Sequence, residues 1–200
     1  MTTDKATIDV YNARSEDYAQ LNGHEANSPE LQAFIARLPV KAHVLDIGCG
    51  PGHMAKTMIK AGHVVDAVDA SPEMVTLAHK SMVPARVARF EDIDENEVYD
   101  AIWASFSLLH VPRDTFPNLL ESLFKALKPD GLFYIGMKLG DGEYRDGIGR
   151  FYTYYTEDEL LQHLEHTGLT DPQITRGTST GLSGEEAEHI TITLRKPAHA

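Results

Sequence analysis

The residues best suited to bind a ligand follow a short apolar run at residues 43–47. This run leads directly into three glycines in the sequence Asp46-Ile-Gly48-Cys-Gly50-Pro-Gly52. Because glycine has no Cβ, such a segment can turn sharply and bring its backbone close to a ligand. A tight strand-to-helix turn without a ligand is the alternative, and three glycines in five residues make it the less favoured one.

The spacing of the glycines discriminates between two classes of cofactor. A dinucleotide site has the pattern G-x-G-x-x-G, with the pyrophosphate at the helix N-terminus. Counted from Gly48, the last glycine of that pattern would be residue 53, which is a histidine. Asp46 disfavours an anionic pyrophosphate and favours a ligand with a cationic amino group. The pattern therefore argues against a nicotinamide-dependent oxidoreductase.

Further candidate ligand residues end the next two apolar runs. Asp69 ends the second run, where an acid can accept hydrogen bonds from ribose hydroxyls. The third run ends in Phe90, Glu91 and Asp92, which offer an aromatic face and two acceptors to an adenine ring. These residues extend the predicted site from the glycine loop to a bound nucleoside.

Apolar periodicity predicts the strands and helices that position these residues. The expected strands are residues 43–47, 64–68, 86–90, 99–104, 132–137, 173–176 and 190–194. The expected helices are residues 10–21, 28–37, 53–61, 71–81, 113–127 and 156–166, three of which begin at the capping residues Ser28, Ser71 and Thr156. Residues 128–131 predict a turn and residues 140–149 a glycine-rich loop.

This alternation of strands and helices predicts a mostly parallel sheet with helices on both faces. The last two strands have no helix between them and should pair antiparallel, and the alternating last run suits an edge or antiparallel strand. Ligands on such sheets bind at the carboxyl ends of the strands. Ala104 and Ser105, at the end of the fourth strand, should therefore border the reacting centre.

Histidines provide one candidate general base and no predicted metal site. His110 follows the fourth strand and is the candidate base, although bracing the helix that opens at Arg113 is at least as well supported. His53 follows the glycine loop and equally suits a surface position in the first helical turn. The ten histidines are scattered, without an HExxH motif or a Cys/His cluster.

The segment after the fifth strand should border a substrate. Lys138, Arg145 and Arg150 are cations in an otherwise acidic chain, and Tyr152 and Tyr155 offer flat amphipathic surfaces. We expect a small substrate with a carboxylate or another anionic group. The competing interpretation is a lid held by Arg–Asp pairs, without substrate contact.

Several motifs together resemble those of the class I S-adenosylmethionine-dependent methyltransferases, in their small single-domain branch that acts on small molecules. The resemblance covers nearly the whole chain and lies in the segments at residues 11–19, 44–52, 68–71, 99–103, 108–110 and 127–132. It implies a three-layer αβα Rossmann-like sandwich, with a seven-stranded, mostly parallel sheet whose last strand is antiparallel. It also implies one domain, made of a helical cap (1–38), a cofactor-binding core (42–138), a substrate-side loop (139–155) and a C-terminal helix with two strands (156–196).

The resemblance implies S-adenosylmethionine as the cofactor and assigns roles to individual residues. The glycine loop and Asp46 would hold the methionine part, Asp69 the ribose, and Glu91 or Asp92 the amino edge of the adenine. The complete implied set is Tyr11, Tyr18, Asp46, Gly48, Cys49, Gly50, Gly52, Asp69, Ala70, Ser71, Met74, Phe90, Glu91, Asp92, Ala104 and Ser105. Packing in the core of its helix is an equally supported role for Met74.

Composition narrows the class of partner. The 200-residue chain has 30 acidic and 18 basic residues and a formal net charge of −12, which argues against nucleic acid and anionic membranes. The N-terminal segment has no signal-peptide pattern, and we expect a cytoplasmic monomer or homodimer with a small-molecule substrate. The alternatives left open are a non-catalytic S-adenosylmethionine-binding protein, an NAD-dependent oxidoreductase and a methyltransferase acting on RNA or protein.

Overall fold

Nine strands form one large and one small sheet among residues 3–198, the part of the chain that the computed structural model describes apart from the side chains of residues 22, 24 and 25. The strands are β1 His43–Ile47, β2 Val64–Asp69, β3 Arg86–Val87, β4 Tyr99–Ser105, β5 Leu127–Lys138, β6 Glu143–Arg145, β7 Phe151–Thr153, β8 Thr170–Thr180 and β9 Glu186–Arg195. The large sheet has the order β3-β2-β1-β4-β5-β9-β8, and β6 pairs with β7 in the small one.

The predicted sheet topology is confirmed. Strands β1 to β5 are parallel to one another, whereas β9 is antiparallel to both β5 and β8. The carboxyl ends of β1, β2, β4, β5 and β8 therefore meet at one edge. The order of the strands switches between β1 and β4, which is where such sheets bind ligands.

Helices cover both faces of the large sheet, which gives the predicted three layers. The α-helices are α1 Lys5–Ala13, α2 Ser15–Asn22, α3 Pro29–Ala36, α4 His53–Lys60, α5 Pro72–Lys80, α6 Phe116–Ala126 and α7 Glu157–His166. Along β1, Leu45 and Ile47 pack in the core with α6 and α7, while Val44 packs in the core with α3, α4 and α5. None of the helices among the described residues is long and apolar enough to cross a membrane.

The three predicted helix caps are present. The side chains of Ser28, Ser71 and Thr156 accept hydrogen bonds from the backbone N–H groups three residues later. Each interaction satisfies an N–H group that the first helical turn would otherwise leave without a partner. The cap at Ser71 fixes the start of α5 beside the end of β2, and thereby helps to position Asp69.

The third strand and the turn before the fifth strand differ from the prediction. β3 ends at Val87, because the chain then leaves the sheet and Phe90–Asp92 form a 3₁₀ helix. The sequence Lys-Pro-Asp-Gly at residues 128–131 lies within β5, where Asp130 adopts a φ of +62°. Apolar spacing alone does not distinguish an edge strand from a short irregular segment.

Two predicted helices and the loop at residues 140–149 also require correction. The entry helix is broken into α1 and α2 at Arg14, and α6 begins at Phe116 because Pro112 to Thr115 form a turn. The loop contains β6, which pairs with β7 in a β-hairpin. The hairpin was not predicted because the many glycines of this segment indicated a loop. β8 and β9 are longer than predicted, and β9 is an inner strand of the sheet, with β8 at its edge.

Gly52 allows the start of α4 to pack tightly against α5. It has a φ of +79°, and an added Cβ would lie 3.1 Å from Ala78 Cβ and 3.2 Å from Val83 Cβ. Gly62, at the end of the same helix, has a φ of +94° and no heavy atom of the described residues within 4 Å of such a Cβ. The two glycines thus share the backbone conformation and differ in packing.

We predict that Gly52→Ala destabilises the protein more than Gly62→Ala. Backbone strain should cost both variants about 1–2 kcal/mol, and Gly52→Ala should lose about 1 kcal/mol more because the methyl group overpacks the site. Urea unfolding of the two variants measures the difference. Equal free energies of unfolding would contradict the close packing inferred at Gly52.

Candidate active site

Two cavities lie side by side at the carboxyl edge of the sheet and share a wall made of Tyr11, Tyr18 and Phe106. The first cavity lies over the ends of β1 and β2 and beneath α1. The second lies between α1, the β6–β7 hairpin and the turn after β8. A ligand in each cavity would therefore meet the other at this shared wall.

The glycine loop borders the first cavity with two of its three glycines. Gly48 and Gly50 line it, and an ideal Cβ on Gly48 would lie only 2.3 Å from Ser107 Cβ, so no larger residue fits there. Gly52 instead contacts α5. Cys49 is buried and, with Ser105, lines a much smaller third cavity.

Asp69 faces the first cavity and is anchored by backbone groups. Its Oδ2 accepts a hydrogen bond from the Gly50 N–H and its Oδ1 one from the Ser71 N–H, both at 2.8 Å. Burial raises the pKa of Asp69, and the two N–H groups lower it again in part. A carboxylate oxygen can accept more than one hydrogen bond, so both oxygens can still bind hydroxyl groups from the cavity.

Asp46 lies beneath the loop, outside the lining of the first cavity. The residue is 1% exposed, and its Oδ2 has no hydrogen-bond partner among the described residues. Burial, followed by the nearby Asp69 carboxylate, raises the pKa of Asp46 to about 8. Its carboxyl group is therefore mostly protonated at neutral pH, and its predicted contact with a ligand is not seen in this conformation.

Only some of the residues that were predicted to contact a nucleoside line the first cavity. Ala70, Ser71, Met74 and Phe90 line the first cavity. Neither Glu91 nor Asp92 does so. Asp92 forms an ion pair with Arg89 on the surface, and Glu91 accepts a hydrogen bond from the Thr3 hydroxyl at 2.7 Å.

The chain after β4 contributes Phe106 and Ser107 to the first cavity instead of Ala104 and Ser105. Ala104 is fully buried within the sheet. The hydroxyl of Ser107 is buried without a hydrogen-bond partner among the described residues. The sequence correctly predicted that the end of the fourth strand borders the cavity. Because β4 is one residue longer than predicted, the residues that line the cavity lie further along the chain.

His110 and Tyr11 are connected by a hydrogen bond at the wall between the cavities. His110 Nδ1 lies 2.6 Å from the Phe151 carbonyl oxygen, which can only accept, so Nδ1 carries the proton. His110 Nε2 therefore accepts from the Tyr11 hydroxyl at 2.8 Å. Burial lowers the pKa of His110 to about 4, with Arg150 and Lys138 acting in the same direction. His110 is thus a neutral acceptor at physiological pH.

Arg150 lies immediately before β7 and lines the second cavity. Its Nε donates to Asp146 Oδ2 at 2.9 Å, and its Nη1 donates to the Tyr11 hydroxyl oxygen at 3.0 Å. The residue is 2% exposed. Arg150 therefore joins the hairpin to α1 as well as facing the cavity.

Lys138 and Tyr152 also line the second cavity. Lys138 Nζ lies 4.4 Å from the centre of the Tyr152 ring, and it forms no hydrogen bond with the described residues. Burial lowers the pKa of Lys138, and Arg150 lowers it further. An anion in the cavity would supply the counter-charge.

Two predicted substrate residues lie outside both cavities. Arg145 forms a bidentate ion pair with Asp4, each bond being 2.9 Å long, and so holds α1 against the hairpin. Tyr155 is fully buried between Phe116 and His163, beneath the Arg113 guanidinium. The competing interpretation of this segment, a lid held by Arg–Asp pairs, describes Arg145 well.

Several lining residues were not predicted from the sequence. In the second cavity they include Leu21, Leu109, the last two residues of β8 (Ser179 and Thr180) and the first two of the turn after it (Gly181 and Leu182). Since β8 is parallel to β5, this turn lies at the ligand edge, and the predicted topology could have indicated it. Among the described residues no group of three His, Cys, Asp or Glu side chains is arranged to hold a metal ion.

Comparison with known proteins identifies the family. A family model described as a methyltransferase domain matches residues 19–174. The chain belongs to this methyltransferase family. The resemblance to class I S-adenosylmethionine-dependent methyltransferases is therefore confirmed.

Individual relatives agree with this result. The methyltransferase is 33% identical over 121 residues to a ubiquinone biosynthesis O-methyltransferase of Xanthomonas axonopodis pv. citri. The matched region covers 56% of this chain and 50% of the relative. The chain thus spans about half the length of the curated relatives of this kind.

Solved structures share the fold. A Burkholderia thailandensis 1,6-didemethyltoxoflavin-N1-methyltransferase, with bound 1,6-didemethyltoxoflavin and S-adenosylhomocysteine, has a TM-score of 0.68 at 24% identity, over 94% of this chain and 88% of its own. A Haemonchus contortus phosphoethanolamine N-methyltransferase, in complex with S-adenosyl-L-methionine, has a TM-score of 0.73 at 17% identity, over 93% of this chain and 57% of its own.

The lowered pKa of His110 predicts a dependence of stability on pH. The unfolded chain binds a proton at His110 near the ordinary histidine pKa of 6.5, whereas the folded protein does so only near pH 4. Stability is thus fully present above pH 6.5 and falls as the pH decreases toward 4, by about 3 kcal/mol for this group. His110→Asn should lose less stability than the wild type between pH 7 and pH 4.5 in urea unfolding. Identical losses would contradict the buried neutral imidazole.

Proposed function

We propose that this methyltransferase transfers a methyl group from S-adenosylmethionine to a small anionic molecule. The observation that carries the proposal is the pair of cavities with a common aromatic wall. One cavity is lined by Asp69, an acceptor suited to ribose hydroxyls, and the other by Lys138, whose ammonium group can pair with an anion. Donor and acceptor molecules would meet at the wall.

The residues of the first cavity fit a nucleoside with an amino acid attached. Asp69 offers two carboxylate oxygens to the ribose, and the apolar side chains of Met74 and Phe90 offer surfaces to an adenine ring. Gly48 leaves the loop backbone open to close approach. Family membership and the cofactors bound in the structural neighbours support the same cofactor.

The first cavity is narrow in this conformation. Its volume is about 70 Å³, well below the range of about 300–1,000 Å³ that small-molecule sites occupy. A nucleoside would therefore extend beyond this enclosed volume, and an outward movement of the α1 side chains that form its roof would enlarge the cavity. The contacts that hold α1 to the hairpin will oppose this movement.

The second cavity is the proposed acceptor site. It has a volume of about 260 Å³, which suits a compact molecule. Lys138 would pair with the anionic group. The names of the relatives include transfer to oxygen and to nitrogen, which makes both elements candidates for the atom that receives the methyl group.

The residues of the shared wall would align the reacting atoms and accept a proton. Bound S-adenosylmethionine supplies a methyl group on a sulfonium, which needs no further activation. Tyr11, Tyr18 and Phe106 restrict the orientation of the acceptor, and orientation of this kind contributes about 7–11 kcal/mol to catalysis in favourable cases. For an acceptor that carries a proton, the Tyr11 hydroxyl and His110 Nε2 form the proposed path for that proton, and His110 would accept it only after ligand binding has raised its pKa from about 4.

Titration calorimetry with S-adenosylhomocysteine, S-adenosylmethionine and NADH tests the cofactor. We expect both sulfur nucleosides to bind and NADH not to bind. Asp69→Asn should weaken the binding of S-adenosylhomocysteine by about tenfold, because the ribose loses a charged acceptor.

Asp92→Asn is the matched control, since Asp92 lies outside the cavity on the surface. Its affinity for S-adenosylhomocysteine should equal that of the wild type. A larger effect at Asp92 than at Asp69 would restore the adenine contact that the sequence suggested. Binding of NADH alone would refute the proposed cofactor.

A further inference from the structure

Lys138 and Arg150 converge on the backbone of Gly181, in the turn between β8 and β9. An ideal Cβ on Gly181 would lie 3.6 Å from Lys138 Nζ and 3.9 Å from Arg150 Nη2. Two cationic nitrogens, one on β5 and one on the hairpin, therefore face the same small volume of the second cavity. The volume is open because residue 181 has no side chain.

Both nitrogens have N–H groups that donate no hydrogen bond to the described residues. Arg150 Nη2 is ion-paired with Asp146 Oδ2 at 2.8 Å, but it has no hydrogen-bond partner among the described residues. Lys138 Nζ lies over the face of the Tyr152 ring, and none of the described residues accepts a hydrogen bond from it. The two residues are only 2% and 8% exposed. Arg150 Nη2 is a fully buried donor without a hydrogen-bond partner among the described residues, which is rare for a charged group, and Lys138 lines the cavity beside it.

Neighbouring carboxylates do not occupy this volume. Asp146 is engaged by the Arg150 guanidinium and by the backbone N–H groups of Arg150 and Ile148. Glu185 is exposed and accepts a hydrogen bond from the Ser183 hydroxyl. Both carboxylates act on Lys138 electrostatically, and neither forms an ion pair with it within the described part of the chain.

We propose that Lys138, Arg150 and Gly181 form an oxyanion subsite that holds a carboxylate of the acceptor molecule. Two donors approaching from different elements suit the two oxygens of a carboxylate. Gly181 determines specificity, because any side chain at this position would fill the space of the carboxylate. A neutral amide in the same place would direct an N–H donor toward a cation and would be rejected. The inference rests on the proposed function, which assigns the acceptor to this cavity.

Benzoate and benzamide are matched probes for the subsite, since they differ only in the charged group. Their binding is measured by calorimetry or ligand-observed NMR, with and without S-adenosylhomocysteine. Benzoate should bind the wild type about tenfold more tightly than benzamide. Gly181→Asp should abolish this preference by placing its own carboxylate between the two cations, whereas Ser183→Asp, with the same charge in the same turn, should retain it.

A thermal unfolding experiment tests the subsite without any ligand. Gly181→Asp should raise the Tm by about 3 °C relative to Ser183→Asp, because the new carboxylate can accept hydrogen bonds from both Lys138 Nζ and Arg150 Nη2. The increase should disappear in the Lys138→Met background. Similar binding of both probes, binding of neither, or no difference in Tm between the two aspartate variants would overturn the subsite. Binding of S-adenosylhomocysteine to the same samples reports on the proposed cofactor separately.

Discussion

The Tyr11 hydroxyl joins three separate parts of the chain at the wall between the cavities. It accepts a hydrogen bond from Arg150 on the hairpin and donates one to His110 after β4. His110 in turn donates to the carbonyl of Phe151, next to Arg150. The direction of every hydrogen bond in this circuit is fixed by its two ends, because the guanidinium can only donate and the carbonyl can only accept. The circuit therefore fixes the tautomer of His110 and the position of α1 together.

The position of α1 links the two proposed binding events. Asp4, Thr7 and Tyr11 are three or four residues apart, so they share one side of the helix, and all three contact the hairpin, through Arg145, Phe151 and Arg150 respectively. The same helix forms the roof of the narrow first cavity. Of the residues of α1, Tyr11 lines both cavities. A movement of this helix on binding of a nucleoside would therefore change the acceptor site as well.

The fold was predictable from the sequence because its signals are local, namely apolar period, helix caps and glycine spacing. The same holds for Asp69 and Gly48, which follow directly from strand ends. Residues contributed by distant segments were not predictable in the same way. Arg145 was expected at the substrate and instead pairs with Asp4, since a sequence does not show which acid a surface arginine meets. Gly181 was missed because its importance arises from two cations that only the tertiary structure brings to it.

A crystal structure with S-adenosylhomocysteine would test the assignment of the two cavities most directly. We expect the ribose hydroxyls on the Asp69 carboxylate, the adenine between Met74 and Phe90, and the sulfur directed to the wall formed by Tyr11 and Phe106. The second cavity should stay free of the nucleoside. A complex with the adenosine part in the second cavity, beside Lys138, would contradict the assignment of donor and acceptor sites.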